Sequence, residues 1–279
     1  MSGKPILVLC ATVPWRLEAC TKMLRSLERQ TRRPTEVILH LDGFPRGSPR
    51  PSLPDGILVS QTRHRHARGV GNWWRSLDER HLGMLVACVG DDFVYPPDYL
   101  ERLAQMRAEY GGAVAWHGWS VEGRNCTFRI DVEAPTTLVC SGTAFFIADA
   151  EHLLGVTEHE LADLFFHPAG DDEALISCWL WTRGVRMTRP PGRVNVEHLP
   201  EGCDPRSTSI RDPERRKALR QLLKARYGWP DRARNADPRQ VRCVAQEADA
   251  LLMRSSRRVA GRSPSRRNAG SVSQIEPAG

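Results

Sequence analysis

The sequence predicts an α/β domain built on a mainly parallel central sheet flanked by helices. Short apolar runs at 6–10, 36–41 and 84–89 alternate with stretches whose apolar residues recur at helical spacing. A run that is apolar throughout suits a strand buried on both faces, as parallel sheets require. The 279 residues, 41% of them hydrophobic, suffice for one large domain with a substantial core or two small ones.

Taken in order, 6–10 is the first strand. A helix is expected over 14–30, where Leu17, Cys20, Leu24 and Leu27 return at three- and four-residue steps. Thr12 and Pro14 suit its start, because a hydroxyl can cap free amides and proline is tolerated in the first turn. The second strand, 36–41, ends at Asp42-Gly43; a loop rich in Pro and Arg and a short strand at 57–60 follow. Then come a helix at 72–80, a buried strand at 84–89 and a helix at 96–110. In the second half, strands are expected at 113–116, 137–139 and 143–147, with helices at 172–183 and 213–227. A further amphipathic helix at 239–253 carries Val241, Val244, Ala248, Leu251 and Leu252 on one side. The organisation is therefore a main domain over 1–230, a C-terminal helix within 231–253, and an Arg/Ser-rich tail, 254–279, expected to be disordered.

The formal net charge of +7 belongs largely to that tail, which holds six arginines against one acid, Glu276. Such a segment attracts nucleic-acid phosphates or an anionic membrane surface without reading sequence. No apolar stretch approaches the roughly 20 residues a bilayer needs, and the first four residues lead straight into the first strand. A cytoplasmic protein is expected, peripheral to the membrane if the tail meets lipid. The eight cysteines form no Cys-x-x-Cys pair, so buried small hydrophobes are expected rather than disulfides or zinc ligands.

Ligands of such sheets bind beyond the carboxyl ends of the strands, and Asp42 and the pair Asp91–Asp92 directly follow strands. Adjacent carboxylates repel unless a cation or hydrogen-bond donors offset them. A hard divalent ion such as Mg²⁺ or Mn²⁺ takes oxygen ligands of this kind together with phosphate oxygens. From the residues alone a second reading stays open, in which the pair caps the helix near Pro96. Trp119, beside Gly118 and polar neighbours, is a candidate to stack on a ligand; most other tryptophans suit packing.

The stretch Gly90-Asp91-Asp92-Phe93-Val94-Tyr95-Pro96-Pro97-Asp98-Tyr99-Leu100 resembles the metal-binding acidic motif of family 2 glycosyltransferases with the GT-A fold. Other segments resemble that family in the same order. They are 6–30 with Thr12, Arg16, Ser26, Leu27 and Gln30; 36–43; Arg68-Gly69-Val70-Gly71-Asn72; Ser141-Gly142-Thr143; Asp171-Asp172-Glu173-Ala174-Leu175; and Gly184-Val185-Arg186-Met187. Together they span 5–198. Gly90 departs from the pattern, standing where the family often has Asp, which shifts the metal's burden to Asp92.

The resemblance implies a metal-dependent, inverting transfer of a sugar from a nucleotide-diphosphate donor to an acceptor hydroxyl, with Mg²⁺ or Mn²⁺. It implies that Thr12, Arg16 and Asn72 line the donor site, that Asp42 accepts hydrogen bonds from base or ribose, and that Arg68 meets the phosphates. Asp91 would contact the ribose or a metal-bound water, and Asp92 would ligate the metal. Asp172 would be the general base, with Asp171 and Gly142 beside donor sugar and acceptor. His198 would add a metal or phosphate contact. Each residue also has a plain reading: Asp42 as a turn residue, Asp171 or Asp172 as a helix N-terminal acid, 63–68 as a solvated loop, His198 as structural. The implied acceptor is a saccharide or a lipid-linked one. A nucleotidyltransferase would share this chemistry, but 10–16 contains no glycine and so no Gly-rich phosphate loop. A third reading is a non-catalytic protein binding nucleic acid or membrane through its basic tail; sequence-specific nucleic-acid recognition is not expected.

Overall fold

The computed structural model describes residues 3–64, 76–122, 125–129, 132–141, 145–155, 172–199 and 213–229. In chain order the elements are β1 (Ile6–Thr12), α1 (Leu17–Glu28), β2 (Glu36–Asp42), β3 (Leu58–His64), β4 (Leu85–Val89), β5 (Phe93–Val94), α2 (Tyr99–Tyr110) and β6 (Ala113–Ala115). There follow β7 (Gly118–Glu122), β8 (Asn125–Arg129), β9 (Thr136–Leu138), β10 (Cys140–Ser141), β11 (Phe145–Asp149), α3 (Ala150–Leu153), α4 (Asp172–Thr182), β12 (Met187–Arg189), β13 (Glu197–His198) and α5 (Pro213–Tyr227).

Eight strands form the central sheet in the order β3-β2-β1-β4-β11-β6-β12-β9. β1 pairs in parallel with β2 on one edge and β4 on the other, and β3 extends the parallel set. β11 runs antiparallel between β4 and β6, and β9 closes the far edge antiparallel to β12. The predicted α/β class with a mainly parallel sheet is the one observed.

Both faces are covered, and the side chains of β1 alternate between them. Ile6, Val8 and Cys10 pack with Cys20, Met23, Leu24 and Leu27 of α1 and with Tyr99, Leu100 and Leu103 of α2. Leu7 and Leu9 face the other layer, made of Leu175, Ile176 and Trp179 of α4 with Leu219, Leu222 and Leu223 of α5. This two-sided burial is why residues 6–11 of the strand are all apolar. Each large aliphatic side chain so buried contributes roughly 1.5–3 kcal/mol.

Several boundaries differ from expectation for local reasons. Residues Pro14–Arg16 form a 3-10 turn ahead of α1, with Pro14 at its first position and Val13 at the cap without any side-chain hydrogen bond. Thr12 therefore belongs to β1, not to a helix cap. The helix expected at 96–110 begins at Tyr99, since Pro96 and Pro97 form the turn before it. Of the helix expected at 72–80, residues 72–75 lie outside the described residues; Asp78 is extended and caps only a short 3-10 turn, Glu79–His81. The hairpin β7–β8 and the two-stranded sheet β5–β13 had no sequence signal strong enough to predict. Gly112 shows what one glycine permits: its φ is +59°, and a Cβ there would lie 2.2 Å from the Arg186 carbonyl oxygen. The expected helix at 239–253 and the tail lie outside the described residues.

Two polar ties hold the layers. Gln30, buried just beyond α1, donates from Nε2 to the Ser26 and Pro96 carbonyls, and its Oε1 accepts from the Leu100 amide. At the opposite end of the sheet, Asp149 accepts from Lys4 at 2.9 Å and from Arg107 of α2. Burial pushes the Asp149 carboxyl up, but the bonds and charges of Lys4 and Arg107 outweigh it and hold the group below its ordinary value. Among the described residues no helix is long and apolar enough to cross a membrane. Cys10, Cys20, Cys88, Cys140 and Cys178 are buried, matching the small buried hydrophobes expected.

Gln30→Ala should cost roughly 1–3 kcal/mol in denaturant unfolding, because it strands the buried Leu100 amide and the Pro96 carbonyl. For Asp149 the folded carboxyl titrates below the unfolded one, so its contribution is complete at neutral pH and is lost as pH falls through the folded value. Asp149→Asn should thus lower stability by roughly 1–3 kcal/mol at pH 7. In a pH series of unfolding curves, the gap to the native protein should close in the acid range below about pH 4.

Candidate active site

The strand order reverses direction at β1: β2 lies on one side of it and β4 on the other. A crevice therefore opens at the carboxyl ends of these strands, where crossovers diverge to opposite sides. Thr12 ends β1, Asp42 ends β2, and Asp91–Asp92 follow β4 by two residues. Asp42 is buried at 1% exposure as the last residue of its strand, and Gly43 after it takes φ +72°. That placement is more than a solvated turn.

At the centre, Arg16 Nη1 lies 2.8 Å from Asp91 Oδ1 and 3.5 Å from Asp92 Oδ2. His198 Nε2 lies 3.7 Å from the same Asp92 oxygen. Asp91 is almost fully buried, and burial pushes its carboxyl up to about 6 against the lowering influence of Arg16 and Thr12; Asp92 pushes it further up. Arg16 is thus the counter-ion that offsets the cost of burying Asp91. The Thr12 hydroxyl favours the charged carboxylate, yet Thr12 Oγ1 and Asp91 Oδ2 do not reach hydrogen-bond geometry with any group. Asp91 and Asp92 cap no helix: the cap position of α2 is Asp98, and that side chain makes no capping bond either.

The acidic turn is held from two directions. From α1, Ser26 accepts the Tyr95 amide on its hydroxyl oxygen and donates to the Met23 carbonyl, while Gln30 grips Pro96 and Leu100. Thr31 adds a backbone bond to the Pro97 carbonyl. Within the turn, the Tyr95 hydroxyl accepts the Gly90 amide at 2.8 Å. From the other direction, β13 pairs with β5, setting His198 against Phe93 with ring centroids 5.0 Å apart. The Leu199 amide also donates to the Asp92 carbonyl at 2.8 Å. A histidine about a hundred residues downstream is thereby brought to the acidic pair.

Thus Thr12, Arg16, Asp91, Asp92 and His198 come together, with Asp42 at the neighbouring strand end. Asp172 opens α4. Trp119 lies in the separate sheet β10-β7-β8, half-buried against the core, with Cys140 opposite it. Trp116 and Trp179 are core residues, the former flanked by the guanidinium groups of Arg102 and Arg189 at 5.0 and 5.2 Å. Arg68, Asn72, Gly142 and Asp171 lie outside the described residues. Sequence reasoning gave no role to Ser26, Gln30 or Tyr95 in holding the turn. The available signal was a polar residue, Ser26, on the buried stripe of α1, with Gln30 four positions on, just beyond the helix.

No family model matches this chain, and no curated protein does. Solved structures do match. Crystal structures of S. aureus TarS residues 1–349 superpose with TM-score 0.54 at 15% identity for a complex with UDP, and 0.51 at 13% identity for a second structure. These cover 91% and 94% of this chain and 73% and 75% of those. A longer TarS chain matches with TM-score 0.51 and 12% identity, over 93% of this chain and 44% of that one. This chain spans under half of the longer TarS chain. The fold is GT-A. At such identities the likeness is one of architecture.

Tyr95→Phe keeps the ring and removes the hydroxyl that holds the Gly90 amide. It should lower stability by roughly 1–2 kcal/mol in thermal or denaturant unfolding. Faster amide hydrogen exchange at 90–95 than in the native protein would mark the loosened turn.

Proposed function

We propose that this protein is a nucleotide-sugar glycosyltransferase that transfers a sugar to an acceptor hydroxyl with inversion, using Mg²⁺ or Mn²⁺. The observation supporting this reading is the convergence of Arg16, Asp91, Asp92 and His198 at the β1–β4 crevice of a GT-A fold. The donor set suits a hard divalent cation, since an oxygen of Asp92 and an imidazole nitrogen of His198 already lie 3.7 Å apart. Among the described residues no group of three metal-ligating side chains exists, so a donor diphosphate would complete the shell. Bound there, the cation would neutralise charge building on the departing diphosphate.

The chain's own residues carry the remaining work in this reading. Asp42 and Thr12 orient the nucleoside at the ends of β2 and β1, and Asp91 accepts from the ribose. Arg68 and Asn72 belong to the donor site by their resemblance to the family's turn. Asp172 takes the acceptor hydroxyl's proton as that oxygen bonds to the anomeric carbon, and Asp171 and Gly142 are assigned to donor sugar and acceptor by their resemblance to the family's motifs. The bond from that carbon to the phosphate oxygen breaks on the opposite face, and nucleoside diphosphate leaves. Trp119 would stack on the acceptor, a saccharide or lipid-linked one. The basic tail would favour a peripheral contact with an anionic membrane surface.

A screen of nucleotide-sugars with Mn²⁺, read by release of nucleoside diphosphate, tests this reading. Asp92→Asn and Asp172→Asn should each lower turnover by about 100-fold or more. Release of pyrophosphate instead would identify a nucleotidyltransferase, and full activity in Asp92→Asn would remove the metal role.

A further inference from the structure

The carboxylate assigned to the metal already has a permanent cation beside it. Arg16 Nη1 is 3.5 Å from Asp92 Oδ2, and Arg16 is held there by its 2.8 Å ion pair with Asp91. Arginine does not discharge, so it cannot step aside by losing a proton. Nor is it free to swing away, because the buried Asp91 carboxylate needs its charge. Asp92 is 16% exposed and Arg16 23%, so solvent screens the two only partly. Gly90 supplies no further carboxylate that would tip the local balance toward a second cation.

A bare divalent ion arriving at Asp92 thus meets two carboxylates and one guanidinium, a single net negative charge, with that guanidinium 3.5 Å from the oxygen it must take and repelling it. A diphosphate reverses the balance by bringing negative charge for both cations. Asp91 Oδ2 and Thr12 Oγ1 lie buried beside the same pair without hydrogen bonds, so the protein does not itself satisfy every polar group there.

We propose that Arg16 and a divalent cation compete for Asp92, so that the metal binds tightly only together with a nucleoside diphosphate. The proposal rests on the Asp92–His198 reading given above. It makes Arg16 a positioning residue that sets the order of binding, beyond its place on the donor side.

The test is equilibrium dialysis of full-length protein against Mn²⁺, with free ion read by electron paramagnetic resonance, without and with UDP. Without nucleotide, Arg16→Gln should bind Mn²⁺ about tenfold tighter than the native protein. Arg16→Lys, which keeps the charge, should stay within about threefold of native. Adding Asp92→Asn to Arg16→Gln should abolish the gain. If Arg16→Gln does not fold, Arg16→Gln/Asp91→Asn removes the buried charge along with its partner; its local net charge equals the native one, so Mn²⁺ binding tighter by about threefold would report removal of the guanidinium from Asp92 itself, and unchanged binding would overturn the competition. Equal or weaker Mn²⁺ binding in the Gln variant would overturn the competition while leaving the metal site standing. No protein-bound Mn²⁺ in any variant, with or without UDP, would overturn the metal site and the competition together.

Discussion

Strand β1 is hydrogen-bonded along both edges and packed on both faces, and the site depends on that double confinement. Its parallel pairing with β2 and β4 aligns the carboxyl ends of three strands. Because β2 and β4 lie on opposite sides, the chain leaving β1 must cross one way and the chain entering β4 the other. The crevice between them follows from topology. The charge of Asp91 is tolerated there, although the side chain is buried, because Arg16 pairs with it.

Within that crevice, one buried carboxylate organises the rest. Asp91 loses most of its hydration, and burial alone would favour its neutral form. Arg16 restores the balance, and it can do so because the 3-10 turn Pro14–Arg16 places it immediately after β1. The ion pair therefore links the first strand's exit to the fourth strand's exit. Asp92, one residue on, is left nearer to solvent and meets His198. Adjacent residues in sequence thus acquire different environments: one carboxylate is neutralised internally, the other is presented.

The acidic turn itself is supported by buried groups behind it. Ser26 on the buried stripe of α1 and Gln30 just beyond that helix satisfy amides and carbonyls that the two prolines leave without helical partners. Tyr95 closes the turn on Gly90. Buried polar groups are costly unless paired, so this arrangement fixes the turn closely: shifting it would unpair several groups together. The Asp149 carboxylate, paired with Lys4 and Arg107, ties the opposite end of the sheet in a similar manner.

What the sequence determined by itself was periodic or contiguous: the α/β class, the apolar strands, the helix over α1, and the position of Asp42, Asp91 and Asp92 after strands. These are legible because hydrophobic burial acts on local spacing. The tertiary structure decided whether Asp91–Asp92 cap a helix or face a crevice, since only the path of Pro96–Pro97 sets where α2 begins. It decided that Arg16 neutralises Asp91, which requires strands 75 residues apart in sequence to lie side by side. It also decided that His198 reaches Asp92, because the two-residue strand β13 is too short to leave a pattern and exists only by pairing with β5. Contacts between distant segments depend on packing and pairing summed over the whole sheet, and no local stretch of sequence encodes that sum.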